Sequence, residues 1–363
     1  MNDIKRSDEG LAFLLRYENV AWYENAAVRI LDRRVYPAQT EFVTCTDYRE
    51  VAQAIKDMVT QSAGPYLAAA MGMALAAYQA VHAKRTDGAS GAGTEGADII
   101  AYCEKAAYEL SHARPTTVEQ MKGIVNGSLD IIKSLAGKAS ADEIVQAAFD
   151  YAFNYVNNNY KKYTVIGKHT AALIPQNGTI MTQCFGDTIV GTMLRECIKA
   201  GKNVKVICAE TRPYFQGSRL TASVACDMGV PVTVISDNMC AFTMKTKQVD
   251  MFTSASDVIT IDGHIINKVG TFQMALAAHY YGIPYYVTGT PDPKHADLST
   301  VHIEERDGEA VLTLWGKKIT MEGVKGYYPA FDITPPELCT GVITDLGVYE
   351  PKRLADYLKA SKT

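Results

Sequence analysis

Gly178-Thr179-Ile180-Met181-Thr182-Gln183-Cys184 is an apolar run that closes on a thiol, and it opens a patterned stretch reaching Thr271. Three more runs follow: Val204-Lys205-Val206-Ile207-Cys208-Ala209-Glu210, Pro231-Val232-Thr233-Val234-Ile235-Ser236-Asp237 and Val249 to Asp257. Each of these closes on a carboxylate. Segments of helical length lie between them. Short apolar runs rich in β-branched residues, alternating with helices, predict the buried strands of a parallel sheet. In open sheets of that kind ligands sit beyond the carboxyl ends of the strands. Cys184, Glu210, Asp237 and Asp257 therefore mark the rim of a site.

Outward from this stretch, a chain of 363 residues predicts two domains of an α/β protein. Residues 1–160 read as a mainly helical N-terminal domain with small antiparallel strands, and 161–363 as a Rossmann-like, parallel-sheet catalytic domain. Alternation over residues 17–45 predicts the short strands. Asp47 is placed to cap a helix carrying Val51, Ile55 and Met58 at helical spacing. Ala63 to Ala83 holds no Asp, Glu, Lys or Arg and has the length of a membrane span. Its alanines, with Gly64, Pro65, Gln79 and His82, make it a buried, close-packed helix instead. Lys84–Asp98 is glycine-rich and lacks large apolar groups, which predicts a surface loop, with an active-site lid as the alternative. Amphipathic helices are expected at Ile99–His112, Thr117–Ala136 and Ser140–Asn159. Later come a helix at Asn267–Tyr281, a strand at Pro284–Thr288 and a hairpin around Trp315-Gly316.

Composition narrows the function classes. Thirty-six basic against 40 acidic residues give a net charge of −4, unlike a nucleic-acid binder. The eight cysteines form no C-x-x-C pair, and Met1–Asp8 is polar, unlike a signal peptide. A reducing, cytoplasmic setting is expected, with most thiols acting as small core residues. No Gly-x-Gly-x-x-Gly follows a strand and no Gly-x4-Gly-Lys-Ser/Thr occurs, which points away from NAD and ATP. The scattered histidines show no metal spacing. No cofactor and no metal are expected.

Cys184 differs from the other thiols by position. Phe185-Gly186-Asp187-Thr188 turns into a helix directly after it, and a helix N-terminus favours thiolate; a buried core cysteine is the alternative. Asp257 ends an apolar run and is followed by Val258-Ile259, surroundings that would raise a carboxyl's pKa for acid catalysis; a capping or loop aspartate is the alternative. Arg114, Arg212 and Arg219 are candidate phosphate ligands. Gln216, Asn267 and Lys268 could fix sugar hydroxyls or phosphate oxygens.

Glu210-Thr211-Arg212-Pro213 followed by Gln216-Gly217-Ser218-Arg219-Leu220-Thr221-Ala222 resembles the E-T-R-P-x-x-Q-G-A-R-L-T-A signature of the methylthioribose-1-phosphate isomerase family. That superfamily also holds ribose-1,5-bisphosphate isomerase, 5-deoxyribose-1-phosphate isomerase and regulatory subunits of a translation-initiation exchange factor. Leu31-Asp32, Arg114–Val118, Gly178–Cys184, Ser254–Thr271 and Pro329–Pro335 resemble further family motifs, and the likeness covers roughly residues 18–350. It implies an aldose-1-phosphate to ketose-1-phosphate isomerase with catalytic Cys184 and Asp257. It also implies substrate contacts at Arg114, Gln216, Asn267 and Lys268, a homodimer, a sugar-phosphate substrate, and neither metal nor nucleotide. Where the family has Arg-Gly-Ala, a further substrate contact, this chain has Gln61-Ser62-Ala63. Gln183 replaces a family histidine, Val258 an arginine, and Asp262 and His264 the polar residues of N-G-D. A non-catalytic sugar-phosphate or nucleotide sensor is the reading from another class.

Overall fold

Residues 17–45 form the antiparallel strands that their alternation predicts. The single-turn α1 (Tyr17–Val20) leads into β1 (Ala21–Glu24), β2 (Ala27–Leu31) and β3 (Phe42–Cys45), with Ala21 opposite Ile30 and Val28 opposite Cys45. This register buries Val28, Ile30 and Cys45 completely. The structure is a computed structural model and describes residues 5–82, 96–114 and 118–362. By its internal contacts the chain divides into two units. One comprises the residues up to Glu9 with Phe13–Lys161, the other Gly10–Ala12 with Lys162–Thr363.

In the first unit α2 (Tyr48–Lys56) starts at a capping box. The Asp47 carboxylate accepts from Arg49 N at 2.8 Å, and Glu50 accepts from Asp47 N at 3.3 Å. The alanine-rich α3 (Gly64–His82) is buried along most of its length. Small side chains let α4 (Gly96–Ser111) approach it closely: a Cβ built at Gly72 would stand 3.0 Å from Leu110. Among the described residues no helix is long and apolar enough to cross a membrane. Residues 84–95, most of the predicted loop or lid, lie outside the described residues.

After α5 (Val118–Leu135), α6 (Ala141–Leu173) runs well past the predicted end at Asn159, and the division between the units falls within it. Lys161-Lys162-Tyr163 does not break it, because lysine is a good helix former and no proline intervenes before Pro175.

The second unit is built on seven strands in the order β17-β16-β10-β7-β4-β5-β6. They are β4 (Thr179–Thr182), β5 (Lys205–Ala209), β6 (Val232–Ile235), β7 (Met251–Ser254), β10 (Tyr285–Thr288), β16 (Gly341–Thr344) and β17 (Gly347–Tyr349). All neighbours are parallel except the β16–β17 pair. Met181, Ile207, Phe252, Val287 and Val342 pack with Met274 and Ala278 into one core, in which the Phe252 and Tyr285 rings stack at 4.5 Å. Helices α7 (Thr188–Lys199), α8 (Ala222–Asp227), α9 (Cys240–Thr246) and α10 (Thr271–Tyr280) alternate with the strands. From β4 the chain builds outward through β5 and β6, then returns to β7 on the other side of β4. The β4/β7 junction is thus the point where strand order reverses, and ligand crevices open there. Cys184 follows β4 and Asp257 follows β7.

Three small sheets frame this edge. In the first, β8 (Val258–Ile259), β9 (Ile265–Lys268) and β15 (Phe331–Thr334) run antiparallel. In the second, β11 (Glu305–Arg306) pairs β14 (Tyr328–Pro329). The third is the predicted hairpin, β12 (Thr313–Leu314) with β13 (Lys317–Lys318). One expectation is corrected: Asn267 and Lys268 stand on a strand, and the helix starts at Thr271. Gly270, at φ 103°, makes the turn between them. The β-branched Ile265-Ile266 pair favours the strand, which β15 then completes.

Candidate active site

The chain leaves β4 through a left-handed residue, Cys184 at φ 58°. Its N–H donates to Thr211 Oγ1 at 2.8 Å, and its carbonyl accepts from Thr221 Oγ1 at 2.6 Å. Thr211, at φ 65°, is held in turn: its N–H and that of Arg212 each donate to the Asp237 carboxylate at 2.8 Å. The loops after β4, β5 and β6 are therefore tied into one rim. A Cβ built at Gly217 would stand 1.8 Å from the Ala209 carbonyl oxygen, so the loop can cross β5 this closely only with glycine. Non-glycine residues at positive φ cost of order 1–3 kcal/mol each and gather at functional sites.

Burial pushes the Cys184 thiol up to about 11; Lys268 and Arg306 pull it down and Asp257 pushes it further up. The expected thiolate is thus corrected to a neutral thiol. Helix α7 begins only at Thr188, after the turn through Asp187, so its dipole is not centred on the sulfur. The same interactions show that Cys184, Asp257, Lys268 and Arg306 stand within electrostatic reach of one another.

Asp257 lies between β7 and β8, with its N–H donating to Ile266 O at 2.9 Å. The residue is exposed, which corrects the expected apolar enclosure. Val258 and Ile259 continue into β8 instead of folding over the carboxyl. Lys268 is 4% exposed, and its ammonium donates to Ala330 O at 2.8 Å and lies 4.5 Å from the centre of the Phe331 ring. Burial pulls its pKa below the ordinary value. Gln183 donates to Lys268 O at 3.2 Å and also to Thr271 Oγ1, fixing the strand that carries the lysine. Asn267 turns its amide to Thr271 Oγ1 at 3.0 Å.

Gln216 is buried and its Oε1 has no hydrogen-bond partner among the described residues, as suits a group awaiting a ligand. Arg219 donates to Tyr214 O at 3.1 and 2.8 Å, and Arg212 to Val311 O at 3.1 Å, so both guanidinium groups brace loops. Arg114, Gln61, Ser62 and Ala63 belong to the first unit. There the Gln61 carbonyl accepts from the fully buried Arg33 at 2.6 Å, and Ser62 has φ 57°.

Sequence reasoning missed Arg306, Tyr328 and Asp332. Arg306 sits in the charged run Glu304-Glu305-Arg306-Asp307, which reads as solvated surface. Asp332 was visible in the Pro329–Pro335 stretch, without a role. Its carboxylate accepts from Gly270 N at 2.6 Å and from Phe272 N at 3.2 Å, closing the first turn of α10. Burial raises it to about 6, against those N–H groups and Lys268. The folded protein thus holds this proton more tightly than the unfolded chain. The stabilisation from protonation is complete below about pH 4 and is lost as pH rises through about 6. Thermal melts across that window should show the wild type losing Tm relative to Asp332→Asn. A constant difference between the two would contradict the assignment.

Among the described residues no group of three His, Cys, Asp or Glu side chains is placed to hold a metal. Residues 67–351 match the Initiation factor 2 subunit family. The chain is 36% identical over 345 residues to a methylthioribose-1-phosphate isomerase of Chloroflexus aurantiacus, covering 92% of this chain and 96% of that protein. It is 34% identical over 341 residues to the isomerase of the same name from Roseiflexus sp., covering 91% and 94%. Among solved structures it is similar to 5-methylthioribose 1-phosphate isomerase from Pyrococcus horikoshii, with a TM-score of 0.81, 29% identity, and coverage of 95% of this chain and 96% of that one. It is similar to the same degree, 0.81 and 29% over 95% and 99%, to the translation initiation factor eIF-2B subunit delta from A. fulgidus.

Proposed function

The chain belongs to the Initiation factor 2 subunit family, and from that premise we propose that it is an isomerase converting 5-methylthioribose 1-phosphate to 5-methylthioribulose 1-phosphate. The observation that supports the proposal is that Cys184, after β4, and Asp257, after β7, flank the point where strand order reverses, within electrostatic reach of each other and of the buried Lys268. The names of these isomerase relatives supply the substrate.

A pentose phosphorylated at C1 cannot open its ring unaided, because the anomeric oxygen is blocked. The bond from C1 to the ring oxygen must break as that oxygen takes a proton. The hydrogen on C2 ends on C1, and the C2 hydroxyl gives up its proton to become the carbonyl. Asp257 is the acid for the ring oxygen, and the bound sugar itself displaces water from the carboxyl in its exposed position. Cys184 passes its proton to the Asp257 carboxylate, which arms that acid and leaves a thiolate; the thiolate takes the hydrogen from C2 and returns it to C1 as the C2 hydroxyl proton goes to Asp257. Lys268 binds phosphate and Gln216 and Asn267 bind the sugar; substrate contact by Arg114, Gln61, Ser62 and Ala63 stays what the family resemblance implies. A homodimer suits the exposed apolar side chains of α9 and α10, Phe242, Leu276 and Tyr280.

Purified protein incubated with methylthioribose 1-phosphate should yield the ketose phosphate, followed by proton NMR. Parallel samples with 5-deoxyribose 1-phosphate and ribose 1,5-bisphosphate rank the group at C5. The equal likeness to an initiation-factor subunit favours a second reading, a sugar-phosphate sensor. Binding without turnover of any C1-phosphorylated pentose would decide for the sensor.

A further inference from the structure

We infer that Arg306 is a second phosphate-binding cation of this site, acting with Lys268 on the phosphate dianion of the substrate. The inference takes its substrate class from the proposed isomerase reading.

Strand pairing sets both cations on one short stretch. In β11–β14 Arg306 stands opposite Tyr328, and in β9–β15 Lys268 stands opposite Phe331. Only Pro329 and Ala330 separate the two aromatic residues. The rings are shared. Lys268 Nζ lies 4.5 Å from the Phe331 centroid and 5.9 Å from that of Tyr328; for the Arg306 guanidinium carbon the distances are 5.7 and 6.0 Å.

Two buried like charges repel, and the neighbouring groups only partly answer them. Glu304 holds Arg306 by one edge, with Nε at 2.8 Å and Nη2 at 3.1 Å. Glu304 leaves Nη1 unused, although the side chain is only 12% exposed. Lys268 has a single hydrogen-bond acceptor, a neutral carbonyl, and no carboxylate within ion-pair distance among the described residues. The Tyr328 hydroxyl is buried beside the guanidinium and reaches no carbonyl or carboxylate among the described residues. A phosphate dianion would answer all three at once: it neutralises both cations, takes the free guanidinium edge and accepts from the phenol. Glu304 then acts as the brace that holds the guanidinium plane, and both cations already bear on Cys184, which places the anion beside the thiol.

The test uses Arg306→Gln and Arg306→Lys in the full chain, with calorimetric titration of inorganic phosphate and steady-state kinetics on methylthioribose 1-phosphate. Arg306→Gln should bind phosphate at least 10-fold more weakly and raise KM by about 100-fold, with kcat within 3-fold of wild type. Arg306→Lys keeps a charge for Glu304 and so the fold, but loses the flat two-pronged donor edge, and should show smaller losses in the same direction. Should the glutamine variant not fold, the lysine variant decides alone. Unchanged phosphate affinity and KM in a folded variant would overturn the assignment. So would a fall in kcat with KM unchanged. If the wild type turns over no C1-phosphorylated pentose, the isomerase reading fails, and the phosphate titration by itself decides whether Arg306 is an anion ligand.

Discussion

Cys184→Ser should lower kcat for methylthioribose 1-phosphate by roughly 10³-fold, while leaving Tm and phosphate binding near wild type. Serine nearly matches the thiol in shape, and the backbone bonds at this position, to Thr211 Oγ1 and from Thr221 Oγ1, do not involve the side chain. What changes is proton affinity. The thiol stands at about 11 in this site, still well below an alcohol. An alcohol holds its proton far more tightly, and removing a positioned acid or base costs on the order of 10²–10⁴ in rate. A serine variant working within 10-fold of wild type would remove Cys184 from the chemistry.

Asp257→Asn should cost about as much, on the order of 10³-fold in kcat, with KM changed only a few-fold. Asparagine keeps the size of the carboxyl and the main-chain bond to Ile266, but it cannot deliver a proton to the ring oxygen. The substrate should then bind and stay cyclic, visible as an unchanged anomeric signal by NMR. The double variant carries a second test. If thiol and carboxyl serve one event, losing both should cost little more than losing one, because residues that act as a unit are far from additive. Multiplied losses would assign them to separate steps.

Local chemistry made the larger features legible. The apolar runs ending at Cys184 and Glu210 are strands because β-branched residues fit a sheet buried on both faces, whereas the run ending at Asp237 is an edge strand with Val234 exposed. The Asp47 cap and the packed alanine helix were readable for the same reason: each depends on residues within a turn or two of itself. The strand carrying Asn267 and Lys268 was misread, since its partner β15 lies more than 60 residues away. Helix α6, expected to end at Asn159, runs on to Leu173 through lysines that helices tolerate.

The sequence by itself determined which side chains could do chemistry and at which strand ends they sit. Spacing along one chain sets the order of strands and turns, and motif likeness picked out Cys184 and Asp257. Only the tertiary structure decided how those groups are charged and who stands beside them. A thiol's proton affinity depends on how much water reaches it and which charges surround it. Those neighbours, Lys268 from β9 and Arg306 from β11, come from distant segments. The same crossing of strands brought a surface-looking arginine within electrostatic reach of Cys184, and left Asp257 exposed.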